Sequence, residues 1–277
     1  MSTFENYDAT SRHYDETRIP VGSEIILGCL ARLSAPGKEL ALLDAGCGTG
    51  AYSQAVIDHV SRIDALDMSG GMLEAARAKL VRPQSEGRIR FHQGSITDLP
   101  FAAESFDAVM INQVVHHLGD RTDLGFPKLR KVIEEFARVL RPGGGVIFNH
   151  CSHEQLRQAY WYAALIPQTV ELCCSRFAPL DLLHEIFDDT GFDVRGRFVP
   201  MDAVCQGSDY FDGRGPLSAA WRAGDSIWAQ VGEEELAVAQ TRVERLDAAG
   251  ELDAFVAEQD AQRAKLGQII LLFAVKR

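Results

Sequence analysis

The sequence predicts an α/β protein organised on a parallel, doubly wound sheet. Two observations carry this reading. The stretch Leu40 to Gly50 is an apolar run that reaches Asp44 and then turns through Gly46, Gly48 and Gly50 into an amphipathic segment. Short apolar runs bounded by glycine read as strands buried on both faces. Further runs of this kind alternate with helical stripes over the first 150 residues, the order expected of strand–helix–strand units.

Composition bounds the rest. A chain of 277 residues is one large domain or a domain with a sizeable insertion. A net charge of −11 argues against nonspecific binding to nucleic acid or an anionic membrane, both of which want a basic face. Six cysteines (Cys29, Cys47, Cys151, Cys173, Cys174 and Cys205) form no Cys-x-x-Cys pair, so neither a metal site nor a disulfide framework is expected. The first residues lack the basic and apolar regions of a signal peptide. The longest apolar run, Ile269 to Val275, is too short to span a bilayer. A reducing, cytoplasmic setting is expected.

The glycine turn is the candidate binding element. Glycine permits positive φ and lets a ligand lie on the backbone, and the amides opening the following helix offer partial positive charge. A dinucleotide fingerprint places its third glycine one position later than Gly50. Asp44 followed by Gly46-x-Gly48-x-Gly50 instead resembles the first motif of class I S-adenosylmethionine-dependent methyltransferases. A tight turn holding no ligand is the alternative, and the flanking segments decide between them.

Residues 4 to 18 are polar, with Tyr7 and Tyr14 spaced to share one helical face. They read as a docked amphipathic segment or as an aromatic cap. The pattern Tyr-Asp…Tyr-Asp-x-x-Arg resembles the N-terminal cap of small-molecule methyltransferases, which would put Tyr14 and Arg18 near the methionine end of the cofactor. Ile25 to Leu33 reads as a helix leading into the first strand.

A helix follows the turn, and Arg62 to Asp67 reads as strand two, ending on an acid 23 positions after Asp44. This approaches the roughly 20 residues expected between a glycine turn and a ribose-binding carboxylate. An ionised Asp only accepts hydrogen bonds, so it can take both ribose hydroxyls. An acid simply ending a strand is the alternative. In the family, the residue after this acid packs on adenine, which implies Met68, with Met72 nearby. Residues 88 to 92 read as strand three. Gln93 to Phe101 resembles the family's Gly-Asp-Ala-x-x-Leu-Pro-Phe loop, implying adenine contacts from Ser95 and Ile96. Ser95 replaces the usual acid, and a neutral partner makes a weaker hydrogen bond than a charged one.

Strand four, Ser105 to Asn112, runs into Gln113-Val-Val-His-His-Leu118. The resemblance implies that Asn112 faces the methionine portion. Leu129, Val132, Ile133, Phe136, Val139 and Leu140 make a helical stripe, stopped by Arg-Pro-Gly-Gly-Gly145. Glu134 to Gly144 is a further family resemblance, and Val146 to His150 reads as strand five.

By resemblance the sheet has seven strands, mostly parallel with the last antiparallel. Residues 1–150 form the cofactor-binding core with its cap, and 179–199 and 268–277 complete the sheet. The remaining segments, 151–178 and 200–267, read as helical insertions over the substrate, the second as three helices near 217–231, 233–247 and 251–266. Tyr160, Trp161, Tyr162, Cys173 and Cys174 are the candidate lid residues. A helical appendage or a homodimer interface is the alternative use of these stripes.

The resemblance implies methyl transfer from S-adenosylmethionine, whose adenosine and methionine parts would meet Tyr14, Arg18, Asp44, Gly46, Cys47, Gly48, Asp67, Met68, Met72, Ser95, Ile96 and Asn112. The acceptor is expected to be a small molecule with an oxygen or nitrogen nucleophile. His117 is the candidate general base, with His116, His150 and His153 nearby in sequence, and Tyr14 could orient the substrate. The late cysteines admit a thiol or arsenite acceptor, and a binding protein of this fold without turnover is a third reading.

Overall fold

The computed structural model of the protein describes residues 19–34, 39–201 and 203–277. Tyr7, Tyr14 and Arg18 lie outside the described residues. After helix α1 (Ser23–Leu33), the chain alternates β1 (Ala41–Ala45), α2 (Ala51–Val56), β2 (Arg62–Asp67), α3 (Gly70–Lys79), a short α4 (Val81–Ser85), β3 (Ile89–Gln93), β4 (Phe106–Asn112), α5 (Pro127–Val139) and β5 (Leu140–His150). Helices α6 (His153–Gln158), α7 (Pro167–Arg176) and α8 (Leu180–Asp189) precede β6 (Phe192–Phe198). Helices α9 (Ala219–Ala223), α10 (Glu233–Ala248), α11 (Leu252–Asp260) and α12 (Arg263–Leu266) precede β7 (Ile270–Lys276).

Seven strands form one sheet in the order β3-β2-β1-β4-β5-β7-β6. β1 through β5 pair in parallel, whereas β7 runs antiparallel to both β5 and β6. Order reverses between β1 and β4, and such a switch point leaves a crevice at the carboxyl ends of the strands.

The core lies on both faces of the sheet because successive strand side chains alternate. Leu42, Ile147, Leu271 and Phe273 pack with α1 and the segments after β5 and β6, while Leu43, Val146, Phe148 and Leu272 pack with α5 and α8. The expected stripe of α5 is buried through Leu129, Val132, Ile133, Phe136 and Val139.

Three elements differ from the sequence expectation. β5 starts at Leu140, not Val146, because Leu140 pairs with Phe106 before the register shifts and Gly145 takes up Ala108. Arg141 to Gly144 are accommodated at that shift. The helix expected over 217–231 is broken into α9 and a 3₁₀ turn, Trp228–Gln230. At the break the Asp225 carboxylate accepts from Ile227 N–H at 3.3 Å and its carbonyl accepts from Trp228 N–H at 3.0 Å, local bonds that compete with helix continuation. The helix expected over 251–266 divides into α11 and α12 beside Asp260, which accepts from the Tyr210 hydroxyl at 2.6 Å and from Arg263.

One half-buried ion pair fastens the loop after β3 to α5. Glu135, 6% exposed, accepts from Leu99 N–H at 2.8 Å and from Arg138 Nη2 at 2.7 Å. The Arg138 guanidinium holds the Glu135 carboxyl below the usual carboxylate range. A depressed folded pKa contributes stability above the unfolded value and loses it as pH falls through the folded value. Because Arg138 is partly exposed and solvent screens the pair, Glu135→Gln is expected to cost about 1 kcal/mol at pH 7, in the range of a charge-assisted hydrogen bond to a half-exposed partner. In denaturant titrations the gap between wild type and variant should shrink as pH falls from 6 to 3.

Candidate active site

The carboxyl ends of β1, β4 and β5 converge under the segments after β5 and β6, and a cavity of about 150 Å³ lies between them. On the strand side the glycine turn is tied to β2 by three successive amides. Gly46 and Cys47 N–H donate to the Leu66 carbonyl at 2.7 and 2.9 Å, and Gly48 N–H donates to Asp67 Oδ2 at 2.8 Å. These amides are therefore spent on holding the turn, and α2, only six residues long, starts beyond them.

Gly46 and Gly48 are needed for different reasons. A Cβ at Gly46 would stand 2.5 Å from Val114 Cγ2, so the turn could not sit against the chain leaving β4. Gly48 has φ +53°, and a Cβ there would meet nothing within 4 Å. That open face of the backbone lines the cavity.

Of the residues expected to hold the cofactor, Asp44, Gly46, Cys47, Gly48 and Asn112 line the cavity. Asp44, 1% exposed, accepts from Ser53 Oγ at 2.7 Å, and burial pushes its pKa up to about 7. Burial likewise raises the Cys47 thiol. Asn112 Nδ2 is buried with no hydrogen-bond partner in the described protein.

Asp67, Met68, Met72, Ser95 and Ile96 lie outside the cavity, at the tips of β2 and β3. Asp67 Oδ1 accepts from Ser69 N–H at 2.9 Å, so each carboxylate oxygen takes one backbone donor. Burial raises the Asp67 pKa, against the lowering effect of backbone N–H groups of Ser69, Gly48 and Met68. Gly94 N–H donates to the Asp67 carbonyl and Gln93 Nε2 to that of Met68, joining the two tips. Met68 is 41% exposed beside them, while Met72 and Ile96 are buried. The Ser95 hydroxyl lies 2.7 Å from that of Thr97.

His117 lines the cavity; its ring lies 3.9 Å from that of His116, which stacks on Phe177 at 4.6 Å. His150 and His153 are bound to backbone carbonyls, of Ala178 at 2.8 Å and Phe177 at 2.7 Å, and burial pushes His150 down to about 4. Neither lines the cavity.

The lid expectation divides. Tyr160, Tyr162 and Cys173 line the cavity, but Trp161 and Cys174 do not. Trp161 is fully buried, its indole N–H donating to the Tyr210 carbonyl at 2.6 Å, and Cys174 is buried beside His153. Trp161 belongs to the interior between the segments after β5 and β6 because its one polar side-chain atom finds a partner there. Cys151, Cys173 and Cys205 all line the cavity, and burial pushes the Cys151 and Cys173 thiols up to about 12. Among the described residues no cluster of three His, Cys, Asp or Glu side chains could hold a metal ion.

Several lining residues carry no motif. Gln113 has φ +56° and donates through Nε2 to Asn149 Oδ1 at 2.7 Å. Asn149 Nδ2 lies 3.3 Å from the Tyr52 hydroxyl and 3.4 Å from Asn112 Oδ1, so a polar chain crosses the tips of β4 and β5. Asp225 accepts from the Tyr162 hydroxyl at 2.6 Å and from Gln206 Nε2. Its only sequence signal was the Gly224-Asp225 pair, which reads as a turn.

Comparison with known proteins agrees with this architecture. A family model described as "Methyltransferase domain" matches residues 43–148. The chain is 31% identical over 187 residues to a demethylmenaquinone methyltransferase of Clavibacter sepedonicus, covering 65% of this chain and 72% of that protein. It is 32% identical over 166 residues to a malonyl-[acyl-carrier protein] O-methyltransferase of Erwinia pyrifoliae, covering 60% of this chain and 57% of the relative. A solved structure described as a methyltransferase from an antibiotic biosynthesis pathway of Anabaena variabilis superposes with TM-score 0.67 at 20% identity, covering 94% of this chain and 98% of that one. That likeness bears on fold alone. A sheet ordered 3-2-1-4-5-7-6 and a relative matched over most of its length agree: the chain belongs to the class I S-adenosylmethionine-dependent methyltransferases.

Proposed function

We propose that the protein transfers a methyl group from S-adenosylmethionine to an oxygen or nitrogen nucleophile on a small molecule. The observation that carries this reading is the open backbone at Gly48 beside the orphaned Asn112 Nδ2, on one cavity wall, with histidine and tyrosine facing it from the other elements. The residues fit an adenosyl donor. Asp67, with one backbone N–H on each oxygen, retains acceptor capacity for a ribose. Met68 and Ile96 flank it for a base, and the glycine turn and Asn112 receive the amino-acid end.

Bound there, S-adenosylmethionine supplies an activated methyl group. The work of the chain is to align and desolvate the acceptor, the proximity contribution that dominates such displacements. Tyr160, Tyr162 and Phe177 exclude water from the cavity. His117 takes the proton of an acceptor that arrives protonated. The relatives' names join a quinone precursor and a malonyl carrier, so no one substrate is carried over from them.

A thiol or arsenite acceptor is the second reading, favoured by the cavity-lining Cys151, Cys173 and Cys205. Against it, thiols pushed up to about 12 stay protonated at neutral pH and are poor ligands for a soft partner. A cofactor-binding protein without turnover is the third reading.

Asp67→Asn, by removing the charge that faces the ribose, is expected to weaken S-adenosylhomocysteine binding by about ten- to a hundredfold, the effect of losing one or two charge-assisted hydrogen bonds. Gly48→Val should do at least as much, and calorimetric titration reads both. With labelled cofactor and a metabolite pool, His117→Ala should lower turnover by about 10²–10⁴ while leaving cofactor affinity unchanged, as for a lost general base. Cofactor binding with no labelled product from any pool would favour the third reading. Cys173→Ser combined with Cys174→Ser should retain turnover, whereas its abolition would favour the thiophilic one.

A further inference from the structure

We infer that Gln113 holds the acceptor molecule, its side-chain carbonyl taking a hydrogen bond from a hydroxyl or N–H group of the acceptor other than the one methylated. This rests on the methyl-transfer reading and narrows its substrate class.

The orientation of the Gln113 amide follows from its neighbours. The Tyr52 hydroxyl donates to the Val21 carbonyl at 3.1 Å, so towards Asn149 its oxygen accepts. Asn149, 2% exposed, meets that oxygen and Asn112 Oδ1 through Nδ2, which turns its own Oδ1 towards Gln113. Gln113 answers with Nε2 at 2.7 Å, and the same nitrogen lies 3.6 Å from Cys151 Sγ. The amide hydrogens are thereby placed, and Oε1 is left. Among the described residues its one donor is the Cys151 thiol at 3.8 Å. That thiol has a single proton, is a weak donor, and stands closer to the Gln268 carbonyl, at 3.3 Å.

Gln113 lines the cavity, so an acceptor oxygen with no strong donor stands on a side chain that a ligand can reach. Nearby donors of the wall are turned elsewhere. The Tyr160 hydroxyl donates to the Gln268 carbonyl at 3.3 Å, and Asn112 Nδ2 makes no bond to Gln113. The backbone points the same way. Gln113 has φ +56°, a region in which residues other than glycine are uncommon, and such strain collects at ligand sites. It also follows directly on Asn112, the residue that receives the amino-acid end of the methyl donor. An amide is no base, so the group held at Oε1 keeps its proton, and the atom whose proton goes to His117 is a second one. The acceptor therefore carries at least two heteroatom groups. An ether or a tertiary amine at the held position has no hydrogen to give and would leave Oε1 unpaired.

Phenol and anisole are matched probes of the held position, sharing a ring and differing in whether the oxygen carries a hydrogen. Each is titrated by ligand-observed NMR into protein saturated with S-adenosylhomocysteine. Phenol is expected to bind about five- to tenfold more tightly, the range for one hydrogen bond left unmade. In Gln113→Met, which keeps the side-chain length and has no oxygen, that ratio should collapse towards one through loss of phenol affinity, with S-adenosylhomocysteine affinity retained. In isotope-labelled wild type, phenol but not anisole should move the side-chain carboxamide signal of Gln113. Equal or tighter binding of anisole, no binding of either probe, an unchanged ratio in Gln113→Met, or a carboxamide signal that phenol leaves in place would overturn the inference. Failure of wild type to bind S-adenosylhomocysteine at all would instead overturn the methyl-transfer reading. Should Gln113→Met not fold, the wild-type ratio and the carboxamide signal still decide.

Discussion

The bond from Gly48 N–H to Asp67 Oδ2, with the two amides before it on the Leu66 carbonyl, is the constraint on which the site depends. It ties the turn leaving β1 to the end of β2 without using any side chain of the turn. A backbone held this way presents a fixed, side-chain-free surface at Gly48. The cost of ordering that surface is met in the fold and not at binding, which is what preorganisation means for affinity. The same carboxylate thus does structural work and keeps capacity for a ligand.

The second support is steric. Gly46 lets the turn press against Val114, and Val114 lies in the segment that carries Gln113, His116 and His117 to the cavity. Gln113 pays for its position with a left-handed backbone, strain of the kind that persists where surrounding contacts over-determine it. Its amide and that of Asn149 then join β4 to β5 and, through Tyr52, to the helix after the glycine turn.

The segments after β5 and β6 are held together by polar contacts. Glu235 at the start of α10 accepts from Gln168 and Thr169 N–H at the start of α7, satisfying helix amides that would otherwise lack partners. Arg242 donates to the Ala164 carbonyl at 2.9 Å and lies over the Phe255 ring. Inside, Tyr162, Trp221 and Trp228 meet edge to face or tilted, within 6 Å of one another. The helix break at Asp225 brings its carboxylate to the cavity; an unbroken helix over 217–231 would have carried that residue elsewhere.

Local chemistry determined much of this protein on its own. The apolar runs, the glycine turn, the acid ending β2 and the stripe of α5 are short-range patterns, each with one low-energy answer in a parallel sheet, so strands two to four were legible to within one residue, while strands six and seven were expected only from the family resemblance. Asp44, Gly46, Cys47, Gly48, Asn112 and His117, grouped in the sequence by the family resemblance and the strand-end argument, line one cavity because strand ends converge once the sheet order reverses. What only the tertiary structure decided is pairing across distance. The register shift in β5 depends on Phe106 and Ala108, residues on another strand. The burial of Trp161 depends on Tyr210, 49 positions away, and the pairing of Tyr162 with Asp225 spans 63. No local preference encodes those meetings. They follow from how two insertions, separate in sequence, must bury their aromatic faces against each other and the sheet.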